Sequence, residues 1–278
     1  MLVSACTPTP DAGEGASSVS PGPPIVRGEP AGYVALGDSY TAAPGVSPND
    51  PADGCFRSAV NYPSLVARAL DVELTDRSCS GAKTRDLARR QAPRIPPQYD
   101  ALTRSTDLVT LGIGGNDFGL YGTLRDCLYL RNADPTGAPC RDAVARATPG
   151  GVTTRIERIG TRVADAVEQI RTRAPQARVL VVGYPHIFPE SGTCPRRVPL
   201  AAGDFGFAAA TVRLLSEALG RAARSSGAEY VDLLPVSRGH DVCSDDPWIS
   251  SVEDVVPLHP LAPEQRAVAD LLVKLVRE

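Results

Sequence analysis

The chain has 278 residues, of which 42% are apolar and 22% charged, and its formal net charge is −3. This is the composition of an ordinary globular protein with enough apolar residues for a full core. The slight negative charge argues against a nucleic-acid-binding protein, which would carry a basic face. No apolar run approaches the roughly 18 residues of a membrane-spanning helix, which predicts a soluble body.

The N-terminal segment has two features that predict export. Val3-Ser4-Ala5-Cys6 resembles a bacterial lipobox, in which the cysteine is lipidated after signal cleavage, although a chance match in a disordered tail is the alternative. Only five residues precede Cys6, whereas the apolar part of a signal peptide needs about 7 to 15, so we expect the natural start to lie upstream. Residues 7–32 contain six Pro, five Gly and three Ser, which predicts a disordered tether over residues 1–32.

The remaining chain alternates short β-rich apolar runs with segments in which apolar residues recur every three or four positions. The runs predict strands at 33–36, near 72–74, and at 107–113, 178–182 and 230–233. The periodic segments predict helices at 61–70, 84–91, 155–173, 207–223 and 263–276. This alternation predicts an α/β fold with a parallel sheet of about five strands covered on both faces, in one domain over residues 33–278.

Six cysteines follow Cys6, and none of them is spaced as CxxC. With only three histidines in the chain, this argues against a Cys/His metal site. An even number predicts three disulfides and an oxidising compartment, although six buried thiols in a cytosolic protein are the alternative. Six cysteines allow 15 pairings. We choose the pairing of sequence neighbours, which is Cys55–Cys79, Cys127–Cys140 and Cys194–Cys243.

The ends of the predicted strands carry the residues that could do chemistry, since active sites of parallel sheets lie at the carboxyl ends of the strands. The first strand ends at Gly37-Asp38-Ser39, where a tight turn could expose the serine as a nucleophile, although this tripeptide is also a common turn. Gly81 and Asn116 follow later strands and, with the Ser39 N–H, could form a three-donor oxyanion hole. His259 precedes the last helix and could act as the general base.

These blocks resemble the SGNH (GDSL) hydrolase family when they are taken in order along the chain. The blocks are Gly37-Asp38-Ser39, Gly81, Gly114-Gly115-Asn116-Asp117 and His259. The resemblance covers the chain from Tyr33 to its end, and it implies a flavodoxin-like three-layer α/β/α sandwich. It also implies that Ser39 is the nucleophile, that Ser39, Gly81 and Asn116 supply the oxyanion donors, and that His259 is the base. The run YVALGDSYTA, the three cysteine pairs and the run LHPLA resemble the secreted, disulfide-bonded actinobacterial lipases and esterases.

The sequence departs from the family pattern at one position. Many members have an acid three residues before the histidine, where this chain has Val256, and Glu253 and Asp254 are out of register. In the secreted branch a main-chain carbonyl can orient the histidine instead. We therefore predict a Ser39–His259 dyad in which the Val256 carbonyl accepts the histidine Nδ1–H.

The resulting expectation is an exported carboxylic ester hydrolase, secreted or anchored to the cell envelope through lipidated Cys6. We expect it to be a monomer that acts on small-molecule or lipid esters without a metal or cofactor. The alternatives are an acyltransferase or carbohydrate O-deacetylase with the same residues, or a non-catalytic surface lipoprotein.

Asp38 and Asp117 could suggest a metal pair, but we expect them to shape their turns. His186 could line the acyl pocket, but we expect it, like His240, to be a loop residue, whereas Trp248 fits pocket wall or packing equally.

Overall fold

A parallel sheet of five strands forms the centre of the protein. The computed structural model describes residues 1, 30–147 and 149–278. Within them, the strands are β1 (Gly32–Gly37), β2 (Asn49–Asp50), β3 (Arg57–Ser58), β4 (Glu73–Asp76), β5 (Leu108–Gly112), β6 (Arg178–Val182) and β7 (Glu229–Val231). The main sheet has the order β4-β1-β5-β6-β7, with all neighbouring strands parallel, and β2 and β3 form a separate antiparallel pair. The prediction of a five-stranded parallel sheet is confirmed.

Helices cover both faces of this sheet. They are α1 (Ser39–Ala42), α2 (Tyr62–Leu70), α3 (Leu120–Leu130), α4 (Pro139–Ala147), α5 (Gly151–Arg173), α6 (Asp204–Ser225) and α7 (Ala262–Arg277). Short 3-10 turns lie at Thr84–Leu87, Gln98–Ala101, Asp117–Gly119 and Arg131–Ala133. The helix predicted over 84–91 is therefore a single turn, and α3 and α4 were not predicted.

Alternating side chains of β1 show how the layers form. Tyr33 and Ala35 belong to the apolar cluster under α2 and α7, whereas Val34 and Leu36 belong to the cluster under α5 and α6. Side chains of a strand point alternately to opposite faces, so a strand that is apolar throughout needs cover on both sides. The three-layer sandwich is the arrangement that supplies this cover.

Three disulfides pair the body cysteines as predicted. Cys55–Cys79 joins the loop before β3 to the segment after β4. Cys127–Cys140 joins α3 to α4, and Cys194–Cys243 joins two loops on either side of α6 and β7. Cys6 and most of the predicted tether lie outside the described residues. Among the helices that the structure describes, none is long and apolar enough to cross a membrane.

Candidate active site

Ser39 lies directly after β1, as the first residue of α1. Asp38 is the N-cap of α1, and its Oδ1 accepts a hydrogen bond from the Tyr40 N–H at 2.9 Å. The Asp38 N–H donates to the Gly112 carbonyl at 2.9 Å, which ties the turn to β5. A side chain at Gly37 would place its Cβ 2.6 Å from the Gly112 oxygen, so only glycine allows this close approach. The strand-to-helix turn therefore presents Ser39 at the edge of the sheet.

Two buried amide side chains hold this turn from opposite sides. The pairing of β1 with β4 ends at Ala35. Beyond it, the Gln98 side chain bonds to the Gly37 backbone: Oε1 accepts from the Gly37 N–H at 2.8 Å, and Nε2 donates to the Gly37 carbonyl at 2.9 Å. Gln265 of α7 donates to the Tyr40 carbonyl at 3.0 Å. Because buried backbone groups are costly to leave unpaired, these two amides fix the backbone on both sides of Ser39.

The carboxyl group of Asp38 belongs to a buried network that joins the ends of three strands. The Tyr184 hydroxyl, just after β6, donates to Asp38 Oδ2 at 2.6 Å and accepts from the Gly115 N–H, just after β5, at 2.8 Å. Burial raises the pKa of Asp38 to about 7, and the hydrogen bonds from Tyr184 and Tyr40 oppose this rise. Asp38 thus shapes the turn at Ser39, as predicted.

His259 completes a pair with Ser39 although 220 residues separate them in sequence. Its Nε2 lies 2.9 Å from Ser39 Oγ, and its Nδ1 lies 2.7 Å from the Pro257 carbonyl oxygen. Burial lowers the pKa of His259, and the hydrogen bond with the Pro257 carbonyl opposes this effect. The imidazole is therefore biased towards its neutral form, in which an N–H can point to Pro257 and a lone pair to Ser39.

The prediction that the Val256 carbonyl orients the histidine is wrong. The Val256 oxygen instead accepts a hydrogen bond from Ser250 Oγ at 2.6 Å. Leu258 has a positive φ of 57°, which reverses the chain between Pro257 and His259 and turns the Pro257 carbonyl to the ring. Asp254 does not take this place either, because its Oδ2 accepts from the Ser251 N–H and hydroxyl at 2.7 and 2.9 Å.

The loop that carries His259 is organised around Ser250. The Ser250 hydroxyl accepts from the His259 N–H at 2.9 Å while donating to Val256, and the Ser250 N–H donates to the His259 carbonyl at 2.9 Å. From the serine side, the Tyr40 ring stacks on His259 with 5.9 Å between ring centroids, and its hydroxyl donates to the Leu258 carbonyl at 2.8 Å. Tyr40 thus joins the two halves of the site.

Gly81 and Asn116 lie on two loops that are bonded to each other. Gly81 has a φ of +77°, a conformation that side chains disfavour. Asn116 Nδ2 donates to the Ala82 carbonyl at 3.0 Å, which uses one of its two hydrogens. Asp117 accepts from the N–H and the hydroxyl of Thr84 at 2.8 and 2.5 Å, so it anchors one loop to the other.

The residues predicted as nucleophile, base and oxyanion donors line one cavity of about 430 Å³, whereas Val256 is not among its lining residues. Apolar walls come from α3 and from the loop after β6. The residues that line it are Ser39, Tyr40, Gly81, Lys83, Asn116, Gly119, Tyr121, Gly122, Leu124, Arg125, Leu128, Ile187, Phe188, Pro257, Leu258 and His259. A volume of this size is typical of a pocket for a small ligand.

The other candidate residues lie outside this lining. The backbone N–H of His186 donates to Ser237 Oγ at 2.9 Å, and the His186 Nδ1 lies 3.1 Å from the same atom, so His186 is held as a loop residue. Its neighbours Ile187 and Phe188 line the cavity. His240 stacks on Trp248 with 4.3 Å between ring centroids, so Trp248 is packing rather than pocket wall. Among the described residues, no group of three or more His, Cys, Asp or Glu side chains could hold a metal ion.

The sequence interpretation missed six residues that hold the reacting groups in place. They are Tyr40, Gln98, Tyr184, Ser250, Pro257 and Gln265. Tyr40 had a usable signal, because it directly follows Ser39 and its hydroxyl needs a partner when buried. Gln98, Tyr184 and Gln265 act through long-range packing, which periodicity does not detect. Ser250 and Pro257 act within an irregular loop that contains the left-handed Leu258, and such a loop has no periodic pattern.

Known proteins resemble this chain over most of its length. The GDSL-like Lipase/Acylhydrolase family matches residues 35–264. Lipase 2 of Streptomyces coelicolor is 40% identical over 248 residues, which cover 86% of this chain and 83% of the relative. The crystal structure of phospholipase A1 from Streptomyces albidoflavus NA297 is similar with a TM-score of 0.73 and 31% identity, covering 88% of this chain and 98% of that one. The extracellular lipase from Streptomyces rimosus is similar with a TM-score of 0.70 and 28% identity, covering 87% and 98%. This chain therefore belongs to the GDSL-like lipase/acylhydrolase family and is a serine ester hydrolase of the lipase and esterase type.

Proposed function

We propose that this protein is an exported carboxylic ester hydrolase that works through an acyl-enzyme on Ser39. One observation carries the proposal, namely the 2.9 Å separation between Ser39 Oγ and His259 Nε2 in the wall of the cavity. A hydroxyl within hydrogen-bond reach of a neutral imidazole that is itself oriented by a third group has the arrangement of an activated nucleophile.

The reaction proceeds in two halves. His259 Nε2 takes the Ser39 hydroxyl proton as Oγ attacks the ester carbonyl carbon, and the tetrahedral oxyanion accepts hydrogen bonds from the N–H groups of Ser39 and Gly81 and from Asn116 Nδ2. The C–O bond to the alcohol breaks, and His259 returns its proton to the leaving alkoxide. Water then attacks the acyl-enzyme with His259 again as base, which releases the acid and restores Ser39.

The Pro257 carbonyl takes the place of the acid in a triad. By accepting the Nδ1–H it selects the tautomer whose Nε2 lone pair faces Ser39. A carbonyl dipole stabilises the transient imidazolium less than a carboxylate would, so His259 works as a dyad base whose tautomer is fixed by the main chain.

Export is the part of the proposal that rests on the disulfides and on the relatives. Disulfides persist in oxidising compartments, and this chain has three. The similar lipase from S. rimosus is described as extracellular. Lipidation of Cys6 and a monomeric state stay predictions, and Cys6 lies outside the described residues.

A fluorophosphonate probe and a series of p-nitrophenyl esters test the chemistry together. We expect one covalent adduct per chain, mapped by mass spectrometry to Ser39, and hydrolysis whose dependence on acyl length reports the depth of the cavity. Ser39→Ala should abolish both labelling and turnover. Labelling at another residue, or an unlabelled active enzyme, would contradict the proposal, and an added alcohol that captures the acyl group would reveal a transferase instead.

A further inference from the structure

The loop that carries Gly81 leaves one of its backbone N–H groups unused. Residues 79, 80 and 82–84 each donate their N–H to a protein acceptor, and these acceptors are, in order, the carbonyls of Gly37, Cys55 and Cys79, then Asp86 Oδ2 and Asp117 Oδ2. Among the described residues, the N–H of Gly81 has no acceptor, although Gly81 lines the cavity. Because backbone donors are normally paired, one free N–H between paired neighbours is what we expect of a donor kept for a substrate.

Gln91 holds the same peptide group from its other end. Its Nε2 donates to the Ser80 carbonyl at 2.7 Å, and a Cβ built at Gly81 would lie 3.8 Å from this nitrogen. The Ser80 carbonyl and the Gly81 N–H belong to one planar trans peptide, in which they point in opposite directions. A hydrogen bond that fixes the direction of the carbonyl therefore also fixes the direction of the N–H.

The bond to Ser80 is the one hydrogen bond that the Gln91 side chain makes within the described part of the chain. The Gln91 Oε1 is buried and has no hydrogen-bond partner there. Burying a polar atom without a partner costs free energy, and an apolar side chain of the same length would avoid that cost. Stability by itself therefore does not call for an amide at this position, and the contact with Ser80 is what the amide contributes.

We propose that Gln91 is a positioning residue of the oxyanion hole, which acts on the substrate through the Ser80–Gly81 peptide. Its bond to the carbonyl aims the Gly81 N–H at the oxyanion and also polarises it, because hydrogen bonds in a chain strengthen one another. Since negative charge on the substrate oxygen develops only in the transition state, Gln91 affects kcat rather than substrate binding. This inference rests on the proposed acyl-enzyme on Ser39.

Gln91→Met removes the donor and keeps the length of the side chain. With p-nitrophenyl butyrate we expect kcat to decrease about tenfold, which is less than the ~10²–10³-fold loss on removal of an oxyanion donor itself. KM should stay within about twofold, because acylation and deacylation both pass through an oxyanion and slow together. Arg90→Met is the matched control in the same segment, since it removes a side-chain bond to the Pro93 carbonyl at 3.1 Å, and it should keep the kcat of the wild type.

A thionoester shows whether Gln91 acts through the oxyanion. Sulfur is a weak hydrogen-bond acceptor, so p-nitrophenyl thionobutyrate gains little from the oxyanion donors. Gln91→Met should therefore lower kcat/KM about tenfold for the ester and much less for the thionoester. An equal loss for both substrates would show that Gln91 supports the fold or the reacting pair instead, and it would overturn the inference, as would a wild-type kcat in Gln91→Met.

Gln91→Glu keeps the shape of the side chain and makes its donor depend on pH. The ionised carboxylate can only accept, so it repels the Ser80 carbonyl, whereas the protonated carboxyl can donate as the amide does. The kcat of this variant, divided by the wild-type kcat at the same pH, should rise as the pH falls from about 8 to about 5, towards the ordinary Glu pKa of ~4.3. This variant tests the inference even if Gln91→Met does not fold, and a ratio that stays low throughout would contradict it.

Failure of the inference can be told apart from failure of the proposed function. If Ser39→Ala stays active, or the fluorophosphonate labels another residue, the acyl-enzyme on Ser39 is wrong and the inference falls with it. If the probe labels Ser39 while Gln91→Met keeps the kcat of the wild type, only the role of Gln91 is wrong.

Discussion

The two halves of the Ser39–His259 pair are held in place by different kinds of structure. The turn at Ser39 is fixed by buried groups 61 to 225 residues away in sequence, from Gln98, Tyr184 and Gln265. His259 is fixed by Pro257 and Ser250, which are two and nine residues away in its own loop. The serine half is therefore held by distant parts of the core, whereas the histidine half is a loop held mainly by its own local hydrogen bonds.

Because of this difference, we expect substitutions around Ser39 to lower mainly the stability of the fold and substitutions around His259 to lower mainly the activity. A perturbation near Ser39 exposes or orphans buried polar groups and acts on the whole fold. A perturbation in the loop of residues 250–261 moves the imidazole while the core persists. Tyr40 is the exception, because it belongs to the serine half but contacts both His259 and Leu258.

The largest effect should come from removing either reacting group. Ser39→Ala and His259→Ala should each lower kcat by at least ~10³-fold, as in serine hydrolases whose triad residues are removed. The double variant should be little worse than either single one, because the two groups act as a unit. Steady-state kinetics on p-nitrophenyl butyrate measures this, and substantial activity in either single variant would exclude its residue from the mechanism.

Ser250→Ala should reveal how much the histidine loop depends on one hydroxyl. We expect kcat to decrease by roughly 10²-fold, because misplacement of a catalytic group by about 1 Å can have this effect. Ser251→Ala is the control in the same loop, since its hydroxyl contacts Asp254 rather than His259. Equal losses in the two variants would show that general loosening of the loop, rather than the Ser250 contact, sets the rate.

Gln98→Met should act on the serine half through stability. The apolar side chain leaves the buried Gly37 N–H without an acceptor, which costs about 1–3 kcal/mol. Chemical denaturation should show this loss in the free energy of unfolding, and Gln176→Met, at an exposed position, should show almost none. If Ser250→Ala destabilises the fold as much as Gln98→Met does, the division between core and loop is wrong.

The nearby acids should matter least for the rate. Asp254→Asn and Glu253→Gln should each cost less than about tenfold in kcat/KM, or ~1.4 kcal/mol, because the Pro257 carbonyl already accepts the Nδ1–H. Neutralising a true triad acid costs about 10⁴-fold. A thousandfold loss in one variant would identify its residue as a third member of the site.

The burial of His259 should shift the acidic limb of the plot of kcat/KM against pH to lower pH. Only the neutral imidazole can act as base, and burial lowers the pKa of His259 from the usual ~6.5. We therefore expect kcat/KM to rise with pH with a midpoint below ~6.5 and then to reach a plateau. Asp38, whose pKa burial raises to about 7, could mimic this limb. The limb should persist in Asp38→Asn, and its loss there would assign it to Asp38 instead.

The sequence predicted the fold, and it singled out four positions that the structure brings together in one cavity, because both depend on local signals. A buried strand that stops at Gly37 and a helix that starts after His259 are both visible as pattern, and the family blocks lie at those points. The disulfide pairing of neighbours was also confirmed.

What the sequence did not predict depends on tertiary contacts or on single backbone angles. Helix α3 contains Gly122 and has a weak apolar pattern, and it is stabilised by packing and by the disulfide to α4. The choice of Pro257 over Val256 depends on the positive φ of Leu258, a residue type for which that conformation is uncommon. The carbonyl that bonds to His259 Nδ1 thus depends on a turn that cannot be predicted from the periodicity of apolar residues.

The position of α3 has a consequence for how substrate range can change in this fold. Ser39 follows a strand of the sheet and His259 lies in the loop before α7, whereas much of the apolar wall of the cavity, with Tyr121, Leu124 and Leu128, comes from α3. That helix begins after Gly119, whose φ is +68° and whose surroundings are open. Tyr121 packs against Tyr40 and Tyr184, with 6.0 and 5.2 Å between ring centroids, so it belongs with the groups that hold Ser39, whereas no such ring contact joins Leu124 or Leu128 to them. Leu124 and Leu128 are therefore the positions on α3 at which we expect substitution to change the cavity while the turn at Ser39 stays in place.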